Sequence, residues 1–225
     1  MDCLGATCVD PASMARDALA ALPLGAMVLA VVYATKPLYH AMRRRGLPHN
    51  VAIYYNRKVI HAAAGGVVAL LVPVVFREPL VPLAMALALG GFLLYMRRSG
   101  RLMYWFQTPE NAYEVNFTIA WGASVALLWA ALGDPRLAVL PALFIAFGDA
   151  VTGVVRNALF ARRTKHWAGN VAMLAVTIPL GLAYGGALGG LAGLVAGVVE
   201  RFEFPPVDDN ILIALATTAL LLLAA

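Results

Sequence analysis

Charged residues are scarce in this sequence, at 13% of its 225 positions. A soluble domain of this size has about a quarter of its residues charged and about half apolar, whereas hydrophobic residues here make up 62%. No polar stretch is long enough to form a soluble catalytic domain beside the apolar ones. The shortage of charge excludes an ordinary soluble protein and predicts a single domain embedded in a lipid bilayer.

Features that mark other classes of protein are also missing. Cys3 and Cys8 are the only cysteines, too few for a four-thiolate zinc site, and a disulfide between them requires an N-terminus outside the cytoplasm. Asp2, Asp10 and Asp17 stand where a secretory signal peptide carries positive charge, so none is expected. The sequence has no Walker A pattern and no kinase-type glycine-rich loop, which excludes a soluble nucleotide-binding fold.

Apolar stretches that are long enough, or nearly so, to cross a bilayer recur along the chain, since a spanning helix needs about 20 residues. They run at about 19–39, 59–77, 79–96, 115–133, 136–158, 169–184, 185–199 and 209–225. The glycine-rich pair 169–199 is either two short helices around a turn at Tyr184-Gly185-Gly186 or one broken element, so seven spans are the alternative to eight. We expect an all-α transmembrane helix bundle, with a short extracytoplasmic segment at 1–18 and one membrane-embedded domain at 19–225.

Basic residues predict the orientation of this bundle. With eight spans, four loops share one side, at about 40–58, 97–114, 159–168 and 200–208. All but three of the 17 Lys and Arg residues lie in these loops or at the adjoining helix ends, the exceptions being Arg16, Arg77 and Arg136. Because cytoplasmic loops are enriched in Lys and Arg, we expect the four loops in the cytoplasm and both termini outside.

This topology accounts for the net charge of +5, which in a soluble protein would suggest nucleic-acid binding. Arg43 to Arg45, Arg97-Arg98 and Arg162-Arg163 lie in the predicted cytoplasmic loops or at their edges. We interpret Arg43 to Arg45 and Arg97-Arg98 as membrane anchors. The lipid bilayer is therefore an expected partner, and nucleic acid is not.

Ionisable residues inside or at the ends of spans cost about 2.5–3.5 kcal/mol on insertion scales, so each is a candidate for function. Asn56, Arg57, Lys58 and His61 enter the second span. Arg57 and His61 are four residues apart and share a helix face, and two cations at a helix start oppose the helix dipole. Anchoring by Arg57 and Lys58 is the simpler interpretation, but an anionic ligand also explains His61.

A second cluster contains Glu110 and Glu114 at the start of a predicted helix. Carboxylates four residues apart repel each other unless a cation lies between them. A metal ion, Arg57 or Arg156 could supply that charge. The alternative is a solvated helix start that is stabilised by the helix dipole.

A third cluster forms a polar stripe in an otherwise apolar span. Asp149, Thr152 and Arg156 are spaced at i, i+3 and i+7, which places them on one helix face. A buried ion pair between Asp149 and Arg156 is one interpretation. Because Gly148 and Gly153 leave space beside the stripe, we favour a face that contacts a ligand.

The fourth cluster, Asp208, Asp209 and Asn210, opens the last predicted helix. Asp209 or Asn210 can serve as its N-cap. Alternatively, the two carboxylates supply oxygen ligands to Mg²⁺, which prefers carboxylates together with the phosphates of a bound nucleotide.

Taken in order, these clusters resemble the polyprenol kinase family of dolichol kinase and phytol kinase, which is related to the CTP-dependent phosphatidate cytidylyltransferases. The resemblance covers about residues 56–215 and rests on four motifs: Arg57-Lys58-x-x-His61, Gly148-Asp149 followed by Arg156, Lys165-x-x-x-Gly169-Asn170, and Asp208-Asp209-Asn210. The chain departs from the family at Ala168, where a glutamate is common, and at Asn170, where a serine is common.

The resemblance implies a kinase that transfers the γ-phosphate of CTP to the hydroxyl of a long isoprenoid alcohol of the dolichol, phytol or geranylgeraniol type. On this basis we expect Asp149, Glu114 and His61 to be catalytic. Contacts to the nucleotide are expected from Asn56, Arg57, Lys58, Arg156, Asn157, Lys165 and Asn170, and Mg²⁺ ligands from Asp149, Asp208, Asp209 and Glu110. The active site would face the cytoplasm.

Two other functions use some of the same features. A cytidylyltransferase would make a CDP-activated lipid of the archaeol or diacylglycerol type from CTP and a lipid phosphate, but the long Ser…Lys-Arg…Lys-Asp signature of that family is missing. A small-solute transporter would bind its substrate near the bilayer midplane and usually contains inverted repeats. The glycine-rich stretch 181–197 is the one feature that favours transport.

Overall fold

The computed structural model describes residues 2–4, 7–161, 164–204 and 207–225. Arg162 and Arg163 of the predicted basic loop lie outside these ranges. The helices are α1 (Pro11–Arg44), α2 (His49–Ile60), α3 (Val67–Val75), α4 (Leu80–Arg98), α5 (Tyr113–Leu132), α6 (Pro135–Ala138), α7 (Leu140–Leu143), α8 (Asp149–Phe160), α9 (Trp167–Val199) and α10 (Asp209–Ala224).

The predicted class, a helical membrane protein, agrees with this architecture. Within the described ranges, six helical segments are long and apolar enough to cross a membrane, namely α1, α2 with α3, α4, α5, α6 to α8, and α9. A small antiparallel pair of strands, β1 (Asp2–Leu4) and β2 (Thr7–Val9), precedes α1 and is the exception to an all-α fold. α1 begins at Pro11, earlier than the span start expected near residue 19, because Asp10 accepts the backbone N–H of Ser13 as an N-cap.

Helix α9 is broken in the middle and folds back on itself. Gly185 (φ −135°, ψ 18°) and Gly186 (φ 57°, ψ −143°) leave the helical conformation, which confirms the predicted break at this position. The Thr177 hydroxyl donates to the carbonyl oxygen of Gly193 at 2.7 Å, so residues 167–184 and 187–199 form an antiparallel hairpin. A Cβ on Gly181 or Gly189 would overlap the backbone of the other arm, which explains why glycine is used there. The count of eight spans stays a prediction.

Within the part of the chain that the structure describes, two π-helical segments interrupt the bundle next to its polar residues. One, His61–Gly66, joins α2 to α3, and the other, Phe144–Gly148, joins α7 to α8. The two segments pack against each other, and the absence of a side chain at Gly66 makes room for the Phe147 ring. Wide turns of this kind occur often at functional sites. His61 begins the first segment, and Asp149 directly follows the second.

The polar connections gather at two ends of the bundle. At one, which we call the basic end, segments 45–48, 99–112, 164–166 and 200–204 come together. Contacts there include Arg57 with the Phe106 carbonyl oxygen and Tyr113 with Glu203. At the other, which we call the opposite end, lie 76–79, 133–134 and 185–186. Between the two ends, α3, α5, α7 and the arms of α9 enclose an apolar core.

Candidate functional site

The first part of the site joins α2 to α8. The Lys58 Nζ atom donates to Asp149 Oδ1 at 2.6 Å, and Nδ1 of His61 lies 3.2 Å from Asp149 Oδ2. The His61 ring stacks on Phe117, with centroids 3.9 Å apart. All of these side chains are buried. Asp149 is therefore held by two groups that stand 91 and 88 residues away in the chain.

The second part joins α8 to both arms of the α9 hairpin. Arg156 donates to both carboxylate oxygens of Glu200, at 2.6 and 2.8 Å, and to Asn170 Oδ1 at 2.9 Å. Lys165 donates to Glu200 Oε1 at 3.1 Å and to Asp209 Oδ2 at 2.6 Å. A bidentate arginine–carboxylate pair is a strong and directional contact. This pair fixes the end of α9 to α8, and the contact with Asn170 fixes the start of α9 to the same arginine.

The two parts meet where their carboxylates converge. Oxygen atoms of Asp149, Glu200 and Asp209 lie within 4.8 Å of one another. Carboxylate oxygens are the donors that Mg²⁺ prefers, so the donor set fits the expected metal. Lys58, Arg156 and Lys165 now neutralise these acids.

Glycine makes room for the buried cations. A Cβ on Gly153 would overlap the side chain of Lys58, and a Cβ on Gly169 would overlap the guanidinium of Arg156. The sequence predicts space at Gly153 beside the polar stripe, and Gly169 belongs to the motif Lys165-x-x-x-Gly169-Asn170. The structure shows that the space is filled by side chains of the site itself.

Two cavities meet at the site. A small polar cavity of about 20 Å³ is lined by Tyr54, Arg57, Lys58, His61, Tyr113, Asp149, Asp209 and Asn210. A much larger one, of about 570 Å³, lies between α1, α2, α3, α4 and α5 and is almost entirely apolar. Arg57 and His61 line both. A polar space rich in charge therefore adjoins an apolar space at these two residues.

Burial shifts the pKa values of the ionisable groups outside the spans. Burial raises the pKa of Glu200, although Arg156 and Lys165 oppose the shift. Burial alone would lower the pKa of Lys165, but the carboxylates of Asp209 and Glu200 raise it above its ordinary value. Burial and the neighbouring Asp209 raise the pKa of Asp208 to about 6.

The structure decides two pairings that the sequence left open. Asp149 and Arg156 share a face of α8 but do not pair with each other, because their partners are Lys58 and Glu200. The cation beside Glu114 is neither Arg57 nor Arg156 but Arg97, whose Nη2 lies 3.2 Å from Glu114 Oε1. Arg97, expected to be only a membrane anchor, therefore has a specific partner.

Several predicted site residues lie outside the convergent cluster. Asn56 donates to the carbonyl oxygens of Thr35 and Trp105, so it ties α1 to the loop 99–112. Asn157 is buried on α8, and Glu110 is exposed in the same loop. Glu114 lines the apolar cavity.

Asp208 is the N-cap of α10, a role expected of Asp209 or Asn210. Its Oδ1 accepts the backbone N–H of Ile211 at 3.1 Å, and its Oδ2 accepts from Asn116 at 3.1 Å. Of the predicted metal ligands, Asp149 and Asp209 converge, whereas Asp208 serves the helix start.

Sequence reasoning missed Glu200 as a site residue. It stands beside Arg201 and Glu203 in a segment that resembles an ordinary polar loop, yet its side chain is only 1% exposed. Tyr54 and Tyr113, which line the polar cavity, were also missed because a tyrosine at a membrane edge usually indicates an interfacial residue. The signal for Glu200 was its position directly after the apolar run 191–199.

Comparisons with known proteins identify no relative of this chain. The chain matches no family model, no curated protein and no solved structure. The resemblance to polyprenol kinases therefore rests on the motifs, and it stays a prediction.

Proposed function

We propose that the protein is a membrane-embedded kinase that transfers the γ-phosphate of CTP to the hydroxyl of an isoprenoid alcohol. One observation carries this proposal: a buried, charge-rich polar cavity and a large apolar cavity share Arg57 and His61. A phosphotransferase with a lipid acceptor needs such a junction, because its two substrates differ completely in polarity. The basic end would lie in the cytoplasm, where the nucleotide is.

The cations of the cluster would bind the nucleotide phosphates. Lys58, Arg156 and Lys165 now neutralise carboxylates at close range, and phosphate oxygens can take over part of that role. Cations fixed in a buried site stabilise the charge of a transferring phosphoryl group. Asp149 and Asp209, with Glu200 beside them, would hold Mg²⁺, which would supply positive charge to neutralise the nucleotide phosphates.

The acceptor hydroxyl would lie at the junction of the cavities. With Nδ1 of His61 donating to Asp149, the Nε2 atom of the ring is left as an acceptor for the hydroxyl proton. Asp149 would orient the imidazole and stabilise its protonated form, as in other carboxylate–histidine pairs. Glu114 also lines the apolar cavity and is the second candidate to orient the hydroxyl.

The test is a reconstituted assay with defined donors. Purified protein in lipid vesicles receives Mg²⁺, geranylgeraniol and either CTP or ATP labelled in the γ-phosphate, and the label in the extracted lipid is counted. We expect labelled lipid with CTP, less with ATP, and none without the alcohol or with a chelator. No labelled lipid with either donor over a panel of isoprenoid alcohols would contradict the proposal.

A further inference from the structure

The large apolar cavity has a polar end and an apolar end. Among its polar lining residues, Arg57, His61 and Glu114 lie toward the basic end, in α2, at the start of the first π-helical segment and in the first turn of α5. Phe76 and Pro82, beside the turn between α3 and α4, line it toward the opposite end. A cavity with this polarity fits one molecule that has a polar head and an apolar chain.

The cavity opens toward the surrounding lipid between α1 and α4. Leu29 and Tyr33 of α1 and Phe92 of α4 line it and are also exposed on the outside of the bundle, at 47%, 54% and 40%. Residues that belong both to a cavity and to the surface mark the edge of an opening. A lipid can therefore enter from the bilayer without passing through water.

The size of the cavity limits its occupant. At about 570 Å³ it falls within the ordinary range of small-molecule sites, about 300–1,000 Å³. Its lining on α4 runs from Pro82 to Leu93, which at 1.5 Å per helical residue is about 16 Å, or about half of the hydrocarbon thickness of a bilayer. A chain longer than this has to leave through the opening between α1 and α4.

We propose that this cavity binds the single hydrocarbon chain of the acceptor alcohol and limits its length, with the hydroxyl at Arg57 and His61 and the chain end toward Phe76. This inference rests on the proposed function for the identity of the head group. It favours an acceptor of farnesol or geranylgeraniol type over a two-chain lipid, because the described cavity has one polar end and one apolar end.

Gly25 of α1 is a suitable position for testing whether the cavity limits the chain length of the acceptor. It lines the cavity, and a Cβ there would meet Met85 Cε at 3.7 Å, an ordinary contact. Gly25→Leu therefore fills the apolar end without a backbone clash. Ala26, its neighbour, is exposed on the outside of α1 and does not line the cavity. Ala26→Leu is the matched control.

The experiment compares farnesol with geranylgeraniol. Binding is measured without nucleotide by native mass spectrometry of the detergent-solubilised protein, and transfer from CTP is measured in vesicles. We expect Gly25→Leu to lower the preference for the longer alcohol about tenfold in both measurements, while Ala26→Leu behaves as the wild type does. If Gly25→Leu fails to fold, Met85→Phe narrows the same part of the cavity from α4.

Failure of the inference differs from failure of the proposed function. If the wild type binds both alcohols and Gly25→Leu shifts their relative binding but nothing is phosphorylated, the cavity assignment stands and the kinase proposal fails. If the wild type phosphorylates both and Gly25→Leu leaves their ratio unchanged, the cavity does not hold the chain. Equal losses in Gly25→Leu and Ala26→Leu would also overturn the inference.

Discussion

The two ends of the bundle use their carboxylates differently. At the opposite end, Asp17 accepts the backbone N–H groups of Arg77 and Glu78, and Asp134 accepts that of Arg136. These carboxylates stabilise turns by accepting hydrogen bonds from the backbone. At the basic end, carboxylates pair with cationic side chains that come from distant helices.

We interpret this difference as one between a structural and a proposed functional use of buried charge. The free backbone N–H groups of a turn need one acceptor and no buried cation, as Asp17 shows with Arg77 and Glu78. A group of three acids and three cations in which all but Lys165 are buried is a costly way to stabilise a fold, because apolar side chains would often do as well or better. The basic end therefore keeps charges that an ionic ligand can use, and the opposite end keeps only what its turns require.

Asp149→Asn should show the difference most strongly. It removes the charge that holds Lys58 and His61, and we expect lipid phosphorylation to fall by at least about 10²–10³-fold while the protein still folds. Activity per folded protein is measured in vesicles, after size-exclusion chromatography in detergent. The matched variant Asp17→Asn, at the opposite end, should lose stability and keep its activity per folded protein. Full activity in Asp149→Asn would end the assignment.

Glu200→Gln should have a large effect on stability. It leaves Arg156 buried, at 2% side-chain exposure, without its bidentate partner, and breaking a buried pair in this way costs about 3–5 kcal/mol. Thermal unfolding in detergent measures the loss. Asp134→Asn is the control at the opposite end, because asparagine caps a helix about as well as aspartate. Equal small losses in both variants would mean that the two ends do not differ.

Gly153→Ala tests the space kept for Lys58. The added methyl group would displace the lysine side chain, and a shift of about 1 Å in a catalytic group can cost up to about 10²-fold in rate. We expect transfer to fall at least about tenfold. Gly91→Ala in α4 adds the same group where nothing lies within 4 Å, so it should leave activity unchanged and stabilise α4 by about 0.5–1 kcal/mol. Unchanged transfer in Gly153→Ala would show that Lys58 can move freely.

Asp208→Asn should have the smallest effect, visible only as a change with pH. The pKa of Asp208 is about 6 in the folded protein and 3.8 ordinarily. Between these values the folded state binds more protons than the unfolded state, so stability falls as pH rises from 3.8 to about 6. The variant removes this contribution, and its Tm should fall less than that of the wild type over the same range. Parallel Tm curves for the two proteins would contradict the assignment.

The sequence predicts the helical class, the break at Gly185-Gly186 and the gathering of polar residues at one end. These follow from local patterns: apolar runs, glycine pairs and the distribution of basic residues. Arg57, Lys58, His61 and Asp149 were singled out because ionisable groups in a span need a reason to be there. The structure brings these residues together.

The sequence does not predict which charged side chains pair with each other, because these pairs depend on how helices that are distant in the chain face each other. Local spacing places Arg156 on the same helix face as Asp149, whereas the structure directs the Asp149 side chain to Lys58 of α2, next to the two π-helical segments. Glu200 and Arg97 resembled residues of ordinary loop edges. Trp105 of the loop 99–112 is likewise buried, and its ring N–H donates to the Val32 carbonyl oxygen of α1, a contact that local spacing does not indicate.

The most direct test of the central claim is the fate of each phosphate of CTP at the basic end. Wild-type protein in vesicles is incubated with Mg²⁺ and geranylgeraniol, in parallel with CTP labelled in the γ-phosphate and CTP labelled in the α-phosphate. We expect the γ-label in the extracted lipid, with CDP as the other product, and no α-label there. A further incubation replaces geranylgeraniol with a lipid phosphate. Transfer of the α-label to lipid in that incubation, or no transfer of the γ-label or the α-label to any lipid, would contradict the account.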